Sequence, residues 1–519
     1  MYVLGGSIGG VIVASLAYTG WLFSGYPAGY TEIKYKDDRS KRNYPAPAPD
    51  EGTLSFSLYG MYEWDNAALL EYTIYGLNSS LGEGIPIDKL PTDFDNDTTC
   101  TSDIQNTIGA EVKWRGRTRP PQKPSYKIKL YYCKFENGEG EWKKKKIDED
   151  DTSIGYTGRK TNKWTFRSDR HDNTNLYDMF STDLFAYFGN KDDMWKKPAL
   201  LKINGEELGL FMFITSPDDS ILPFKDDLGH FFEVDQGTVD PITQTEAELK
   251  YPDPDDFFES PNAIDIIANF THMLSNFRKG EADIDYQTMA SRFWLQEITQ
   301  DLDALNSAYF YEHTNGTIYA GPIWDAGWAF QAPIVRCEDR RVANPHGWMP
   351  DTYYALYDPF FEKNSSFLQY TIELYRNRNL SEFLANFKTE VDTLRPLIRY
   401  DWSLWKDAHQ FECISAIFTV ESDTKGYGGI EKWKVADIDT EIDLWLEFLE
   451  KKIQYLNVNY VEAGARKDQK PGTQWGILFV VFVSLWSVFL FLLACAVILQ
   501  LLIYERRPKS NTKIGAYLG

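Results

Sequence analysis

Leu201-Lys-Ile-Asn-Gly-Glu-Glu-Leu-Gly-Leu-Phe-Met-Phe213 reads as two strands folded on a tight turn. Asn204 and Gly205 tolerate the left-handed backbone that a two-residue hairpin demands, and Gly209 admits close approach by another group. Alone, this is an ordinary hairpin; its surroundings give it a fold. Upstream, Leu54-Ser-Phe-Ser-Leu-Tyr59, Tyr72-Thr-Ile-Tyr75 and Tyr126-Lys-Ile-Lys-Leu-Tyr-Tyr132 alternate with the period of a strand. Lys143 to Lys146 and Asp148 to Asp151 carry opposite charges and read as a solvated hairpin loop between strands. One helix interrupts this half, over Asn175 to Phe188. From about Pro252 the period becomes helical, over Ala263 to Phe277, Tyr286 to Thr299, Leu368 to Tyr375, Ser381 to Tyr400 and Asp437 to Leu456. A β-rich half (53–251) followed by a helical half (252–460) predicts an α+β body, with no internal repeat.

Both flanks of this body are apolar. Gly476 to Tyr504 is an uncharged run longer than the roughly 20 residues a helix needs to cross a bilayer. Arg506, Arg507, Lys509 and Lys513 follow it, so the tail, 505–519, is expected on the cytoplasmic side. Residues 461–475 form a polar neck, and the body faces the lumen or the outside. Tyr2 to Phe23 is a second apolar run, giving segment 1–23 as a transmembrane helix or signal anchor; a cleaved signal peptide is the alternative. Its spacings Gly5/Gly9 and Gly6/Gly10, extended by Ala14, would let one membrane helix approach another closely. Residues 24–52 read as a linker stiffened by Tyr44-Pro-Ala-Pro-Ala-Pro-Asp50. The expected location is the plasma membrane or the secretory pathway.

Composition narrows the partners. The net charge of −22 speaks against nucleic acid, whose phosphates would be repelled. An aromatic content of 15% predicts a packed body rather than a disordered stalk. Four cysteines lie in the body, Cys100, Cys133, Cys337 and Cys413; they allow three pairings. Nearness within each half favours Cys100 with Cys133 and Cys337 with Cys413. Acceptor sequons for N-glycans occur at Asn78, Asn96, Asn269, Asn315, Asn364 and Asn379, with Asn315 in a hairpin-like turn.

Three further segments carry chemistry. Val112-Lys-Trp-Arg-Gly-Arg-Thr-Arg-Pro-Pro-Gln-Lys-Pro-Ser-Tyr-Lys-Ile-Lys-Leu130 is an Arg-rich turn leading into a strand with alternating lysines. Such cations beside a glycine turn can cradle phosphate, though the same residues would serve as an exposed basic strand edge. Asn162 to Leu176 runs a strand into a helix through polar caps. Gln300-Asp-Leu-Asp-Ala-Leu-Asn306, the strand Tyr309-Phe-Tyr311 and Gly321-Pro-Ile-Trp-Asp-Ala-Gly327 set out Asp301, Asn306 and Asp325 in the order kinases use. There one Asp accepts the substrate hydroxyl proton, and Asn and a later Asp hold hard Mg²⁺ or Mn²⁺ through oxygen.

Taken in order with the opening hairpin, these segments resemble the spore-coat protein H (CotH) family of atypical protein kinases. The matching features are Arg115-Gly116 with Lys123-Pro-Ser-Tyr-Lys127, then Lys163-Trp-Thr-Phe166 with Asp172-Asn-Thr174. Asn204-Gly-Glu-Glu-Leu-Gly-Leu-Phe211, Asp301 to Asn306 and Ile323-Trp-Asp325 complete the set, over roughly Leu54 to Tyr455. The resemblance implies a two-lobed kinase-like fold that binds ATP with Mg²⁺ or Mn²⁺ and phosphorylates Ser or Thr of secreted or membrane proteins. Asp301 would be the catalytic base or a metal ligand, Asn306 and Asp325 the metal ligands, and Lys127, with Lys123 as second choice, and Arg115 the phosphate contacts. This chain departs from the family at Ile214-Thr215-Ser216, where a Glu is usual, and at Glu233, where many members carry Lys. Tyr177-Asp178 stands for Arg-Asn, and Ala326 for a second Asp. These departures leave open a non-catalytic surface adhesin or scaffold. A subunit of a membrane complex, packed through the Gly-rich first helix, is a third reading.

Overall fold

The computed structural model describes residues 32–33, 54–62, 68–75, 94, 98–104, 108–115, 123–147, 159–168, 172–189, 194–235, 246–253, 261–301, 307–331, 356–405, 416–418, 430–433 and 438–459. The chain divides into two compact units, Met1–Tyr460 and Val461–Gly519. The second unit, the apolar run 476–504 within it and the segment 1–23 lie outside the described residues. Among the described residues, no helix is long and apolar enough to cross a membrane.

The first unit is mixed α+β. Its strands and helices run β1 (Glu32–Ile33), β2 (Leu54–Tyr62), β3 (Ala68–Ile74), β4 (Ile108–Arg115), β5 (Ser125–Glu136), β6 (Glu139–Lys144), β7 (Lys163–Arg167), α1 (Tyr177–Tyr187), β8 (Lys196–Ile203), β9 (Glu206–Thr215), β10 (Leu228–Val234) and β11 (Ala247–Tyr251). They continue as α2 (Ala263–Arg278), α3 (Tyr286–Thr299), β12 (Ala308–His313), β13 (Ile318–Ala320), α4 (Asp358–Lys363), α5 (Ser365–Arg376), α6 (Leu380–Trp405), β14 (Ala416–Phe418), β15 (Ile430–Trp433) and α7 (Ile438–Asn459).

Seven strands close into a barrel in the order β4-β2-β3-β8-β9-β7-β5, with β5 returning to β4 and β6 added outside β5. All the pairs are antiparallel except β2 with β4, which run parallel. Alternation explains the filling. Residues two apart share a face, so Tyr126, Ile128 and Leu130 of β5, Trp164 and Phe166 of β7, and Phe211 and Phe213 of β9 all enter the interior. Trp164 and Phe166 each stack on Phe213, with centroids 5.0 and 4.8 Å apart. Asn204 (φ 52°) and Gly205 (φ 81°) hold the left-handed turn that the hairpin pattern predicts. Lys143 and Lys144 lie on β6 rather than in a loop: paired to Tyr132 and Tyr131, they point to opposite faces of an outer strand and are both exposed, where charge costs little. Cys100 and Cys133 form a disulfide, while Cys337 and Cys413 lie outside the described residues.

A second sheet, β11-β10-β12-β13, packs against α2. Phe232 of β10 lies 5.5 Å from Phe270, and Phe310 of β12 lies 5.1 Å from Phe277. α3 starts where Asp285 accepts from the Thr288 N–H at 2.8 Å. Helices α3, α5, α6 and α7 then pack together, and Lys452 of α7 meets Glu297 of α3 at 2.5 Å with both side chains fully buried. The five helical stretches expected in this half are all present. A small third sheet, β1-β15-β14, begins with Glu32 and Ile33 parallel to Lys432 and Trp433. Of the sequon asparagines, Asn269, Asn315 and Asn379 are exposed and Asn364 is half-buried at the start of α5; Asn78 and Asn96 are outside the described residues.

Candidate functional site

The barrel's outer face over β4, β5 and β7 is basic for the same reason its inside is apolar. Register sets Lys113, Lys127 and Thr165 in one row, and Glu111, Lys129 and Lys163 in the next. Arg115 pairs with Ser125 at the other side of the Lys127 row, and Arg167 ends β7. Carboxylates neutralise most of these cations. Glu111 takes Lys113 and Lys129, Asp218 takes Lys163, and Asp178 and Asp325 share Arg167. Arg115 and Lys127 form no ion pair among the described residues. Burial depresses the Lys127 ammonium below its ordinary pKa, and Arg115, Lys163 and Lys129 push it the same way. Burial also draws Arg115 down, and Arg167 adds to that. Asp218 acts on Lys127, and Asp325 and Glu233 on Arg115, but cations that outnumber the carboxylates around them favour any anion that reaches them.

Arg115 donates to Thr165 Oγ1 at 3.5 Å and lies 4.3 Å from the Trp324 ring. Arg167 lies 4.8 Å from the same ring. Trp324 precedes Asp325, which follows the β12–β13 hairpin with a left-handed backbone (φ 62°). Asp325 Oδ1 accepts from Arg167 Nη2, and Asp178 Oδ2 accepts from Arg167 Nε. Asp178 Oδ1 accepts the Ala326 N–H at 3.0 Å, so one carboxylate fixes both the arginine and the peptide after Asp325. Asp325 is the open member, with 33% of its side chain exposed against 7% for Arg167.

Asp301 follows Gln300, whose left-handed backbone (φ 47°) ends α3, and is buried at 8% exposure. The buried Arg292 guanidinium on α3 feels its charge. β12 begins and β13 ends at the same end of their hairpin, so the chain entering at Ala308 runs beside the chain that leaves toward Asp325. Asn306 lies outside the described residues. Across the site, Glu233 of β10 pairs with Tyr309 of β12 and holds Lys250 at 3.0 Å. Burial, followed by Glu233, raises the Tyr309 phenol well above its ordinary pKa.

Lys123 does not join the others. Its ammonium is buried, donating to Asp401 Oδ1 at 2.6 Å and to the Leu210 carbonyl. Desolvation forbids an unpaired cation there, so this lysine holds α6 to β9 instead of meeting phosphate. The residues that sequence reasoning missed are Arg167, Asp178 and Trp324. Alternation in Lys163-Trp-Thr-Phe-Arg167 put Arg167 on the face of Lys163 and Thr165, and that signal was readable. Its two carboxylate partners were not, being 11 and 158 residues away. Among the described residues, no group of three or more His, Cys, Asp or Glu could hold a metal by itself.

A protein-family model described as CotH kinase protein matches residues 112–456, about two thirds of the 519-residue chain. No curated protein matches the chain significantly.

Proposed function

Since the chain belongs to the CotH kinase family, we propose that it is a two-lobed, membrane-anchored protein kinase working in the lumen or outside the cell. It transfers the ATP γ-phosphate to Ser or Thr of secreted or membrane proteins. The observation that carries this reading is the partly exposed Asp325 beside Arg167 and Arg115, with Lys127 next to Arg115 and without an ion pair among the described residues. A guanidinium already rests on Asp325 as a stand-in cation, so the carboxylate suits Mg²⁺ or Mn²⁺. Such ions take only one or two protein oxygens and draw the rest of their shell from phosphate and water. Asp325 and Asn306 would hold the ion, which when bound neutralises charge on the phosphoryl group in transfer.

The chain's own residues do the remainder. Lys127 and Arg115 draw the phosphates to the barrel face. Asp301 accepts the hydroxyl proton as that oxygen bonds the γ-phosphorus and ADP leaves. Asp178 keeps the Asp325 peptide in position.

The test is full-length protein with Mn²⁺ and labelled ATP, comparing wild type with Asp325→Ala. Labelling should fall at least about a hundredfold, and equal labelling removes the assignment. A non-catalytic adhesin or scaffold is the second reading, favoured by Glu233, whose charge Arg115 feels where the family usually has Lys. It predicts no thermal shift with ATP and Mn²⁺.

A further inference from the structure

The carboxylate assigned to the cation is already occupied. Asp325 Oδ1 accepts from Arg167 Nη2, while Arg167 Nε stays on Asp178. The anchoring end is closed and the Asp325 end is open: side-chain exposure is 7% at Arg167, 9% at Asp178 and 33% at Asp325. Asp178 is held independently through the Ala326 N–H, so it can keep Arg167 after Asp325 lets go.

We propose that Arg167 is a positioning residue with two settings. Before a cation arrives it bridges Asp178 and Asp325. When a divalent cation takes Asp325, Arg167 keeps its Nε contact with Asp178, and its Nη2 turns to the nucleotide phosphates. This deepens the phosphotransferase reading and rests on it for the identity of the anion.

The argument is one of charge and shape. A guanidinium and a dication repel, so they cannot both bind one carboxylate at full strength. The planar fork of arginine fits carboxylate and phosphate equally, so the released Nη2 finds an equivalent acceptor as soon as nucleotide is present. With Arg167 bridging, the trio Asp178, Arg167 and Asp325 carries one net negative charge, which offsets the pull of neighbouring Arg115 on phosphate. Loading a divalent cation reverses that sign. Nucleotide affinity therefore rises when the metal binds, and Trp324, close to both Arg167 and Arg115, limits how far the guanidinium can swing.

The test titrates full-length protein with Mn²⁺ alone, reading free Mn²⁺ by electron paramagnetic resonance, and then with ATP at saturating Mn²⁺. Without its competitor, Arg167→Gln should bind Mn²⁺ about tenfold tighter than wild type and ATP about tenfold weaker. A purely structural arginine would loosen both together. The proposal is overturned if Arg167→Gln melts like wild type yet binds Mn²⁺ no tighter, or if no protein in the series binds Mn²⁺. Should Arg167→Gln fail to fold, Arg167→Lys decides. Its shorter side chain offers one nitrogen in place of the two that hold Asp178 and Asp325 separately, which weakens the grip on Asp325, so Mn²⁺ must bind more tightly than in wild type, and no gain overturns the idea. If wild type transfers no label but Arg167→Gln still gains Mn²⁺ affinity, the kinase reading fails and the exchange stands. Labelling by wild type without that gain in the variant leaves the kinase reading in place and overturns the exchange.

Discussion

Lys123 and Lys127 are four residues apart on one approach to the barrel, yet their surroundings are opposite. Around Lys123 every charge has a partner. Asp401 takes its ammonium, the Leu210 N–H at 2.8 Å and the Asn175 amide at 3.0 Å, all out of water. Gly209 (φ 84°) lets this carboxylate approach, because a Cβ there would collide with Asp401 Oδ1. Around Lys127 the cations outnumber nearby carboxylates, and water reaches the wall. The first region holds α6 to the barrel; the second has a vacancy in charge that an anion can fill. A lysine's role here follows from whether the fold supplies its counter-ion, not from the motif it belongs to.

That contrast can be broken at four points. Asp401→Ala strands a buried ammonium and should cost roughly 3–5 kcal/mol in urea unfolding. Pairing Asp401→Leu with Lys123→Met should recover most of the loss; if it does not, the latch is more than a neutralised pair. Replacing both Cys100 and Cys133 by Ser frees a loop with a sequence separation of 33 and should cost about 2–4 kcal/mol. The disulfide lies at the far end of the strand that bears Lys127, so ATP affinity of the folded protein should stay unchanged in calorimetry.

Asp172, whose charge Lys123 also feels, gives a pH test of the latch. Burial raises its carboxyl to about 6 from 3.8, against hydrogen bonds from Thr174 and Tyr177. Between those values the folded state binds more protons than the unfolded one, so stability falls as pH rises. The advantage of wild type over Asp172→Asn should shrink by roughly 2–3 kcal/mol between about pH 4 and pH 6, then level off. A difference that is flat with pH would mean the carboxyl titrates normally. Smallest is Lys127→Ala, which should weaken ATP about tenfold, near 1.4 kcal/mol, while melting stays within about 0.5 kcal/mol of wild type. A large loss of stability there would make Lys127 a second Lys123.

Much of this was legible locally. Asn204-Gly205 announced its turn, strand alternation announced which of Tyr126, Lys127 and Ile128 face the core, and α3 begins and ends where its periodicity predicts. The barrel itself was not, because closure depends on the parallel β2–β4 pair between distant segments. Nor was the fate of Lys123, whose partner is 278 residues away. Of the site, the residue types around Asp301 and Asp325 could be read in order. The bridge through Arg167 needs three separate stretches of chain in contact, and no spacing encodes that.

The barrel's closure also bears on how the protein should be cut. The family match starts at residue 112, inside β4, whereas β2 and β3, which join β4 to β8, come from residues 54 to 74. A fragment trimmed to the matched boundary would lose both staves and open the cylinder. Bare edges on β4 and β8 would then invite intermolecular strand pairing, so an expression boundary before Leu54 is the sound one.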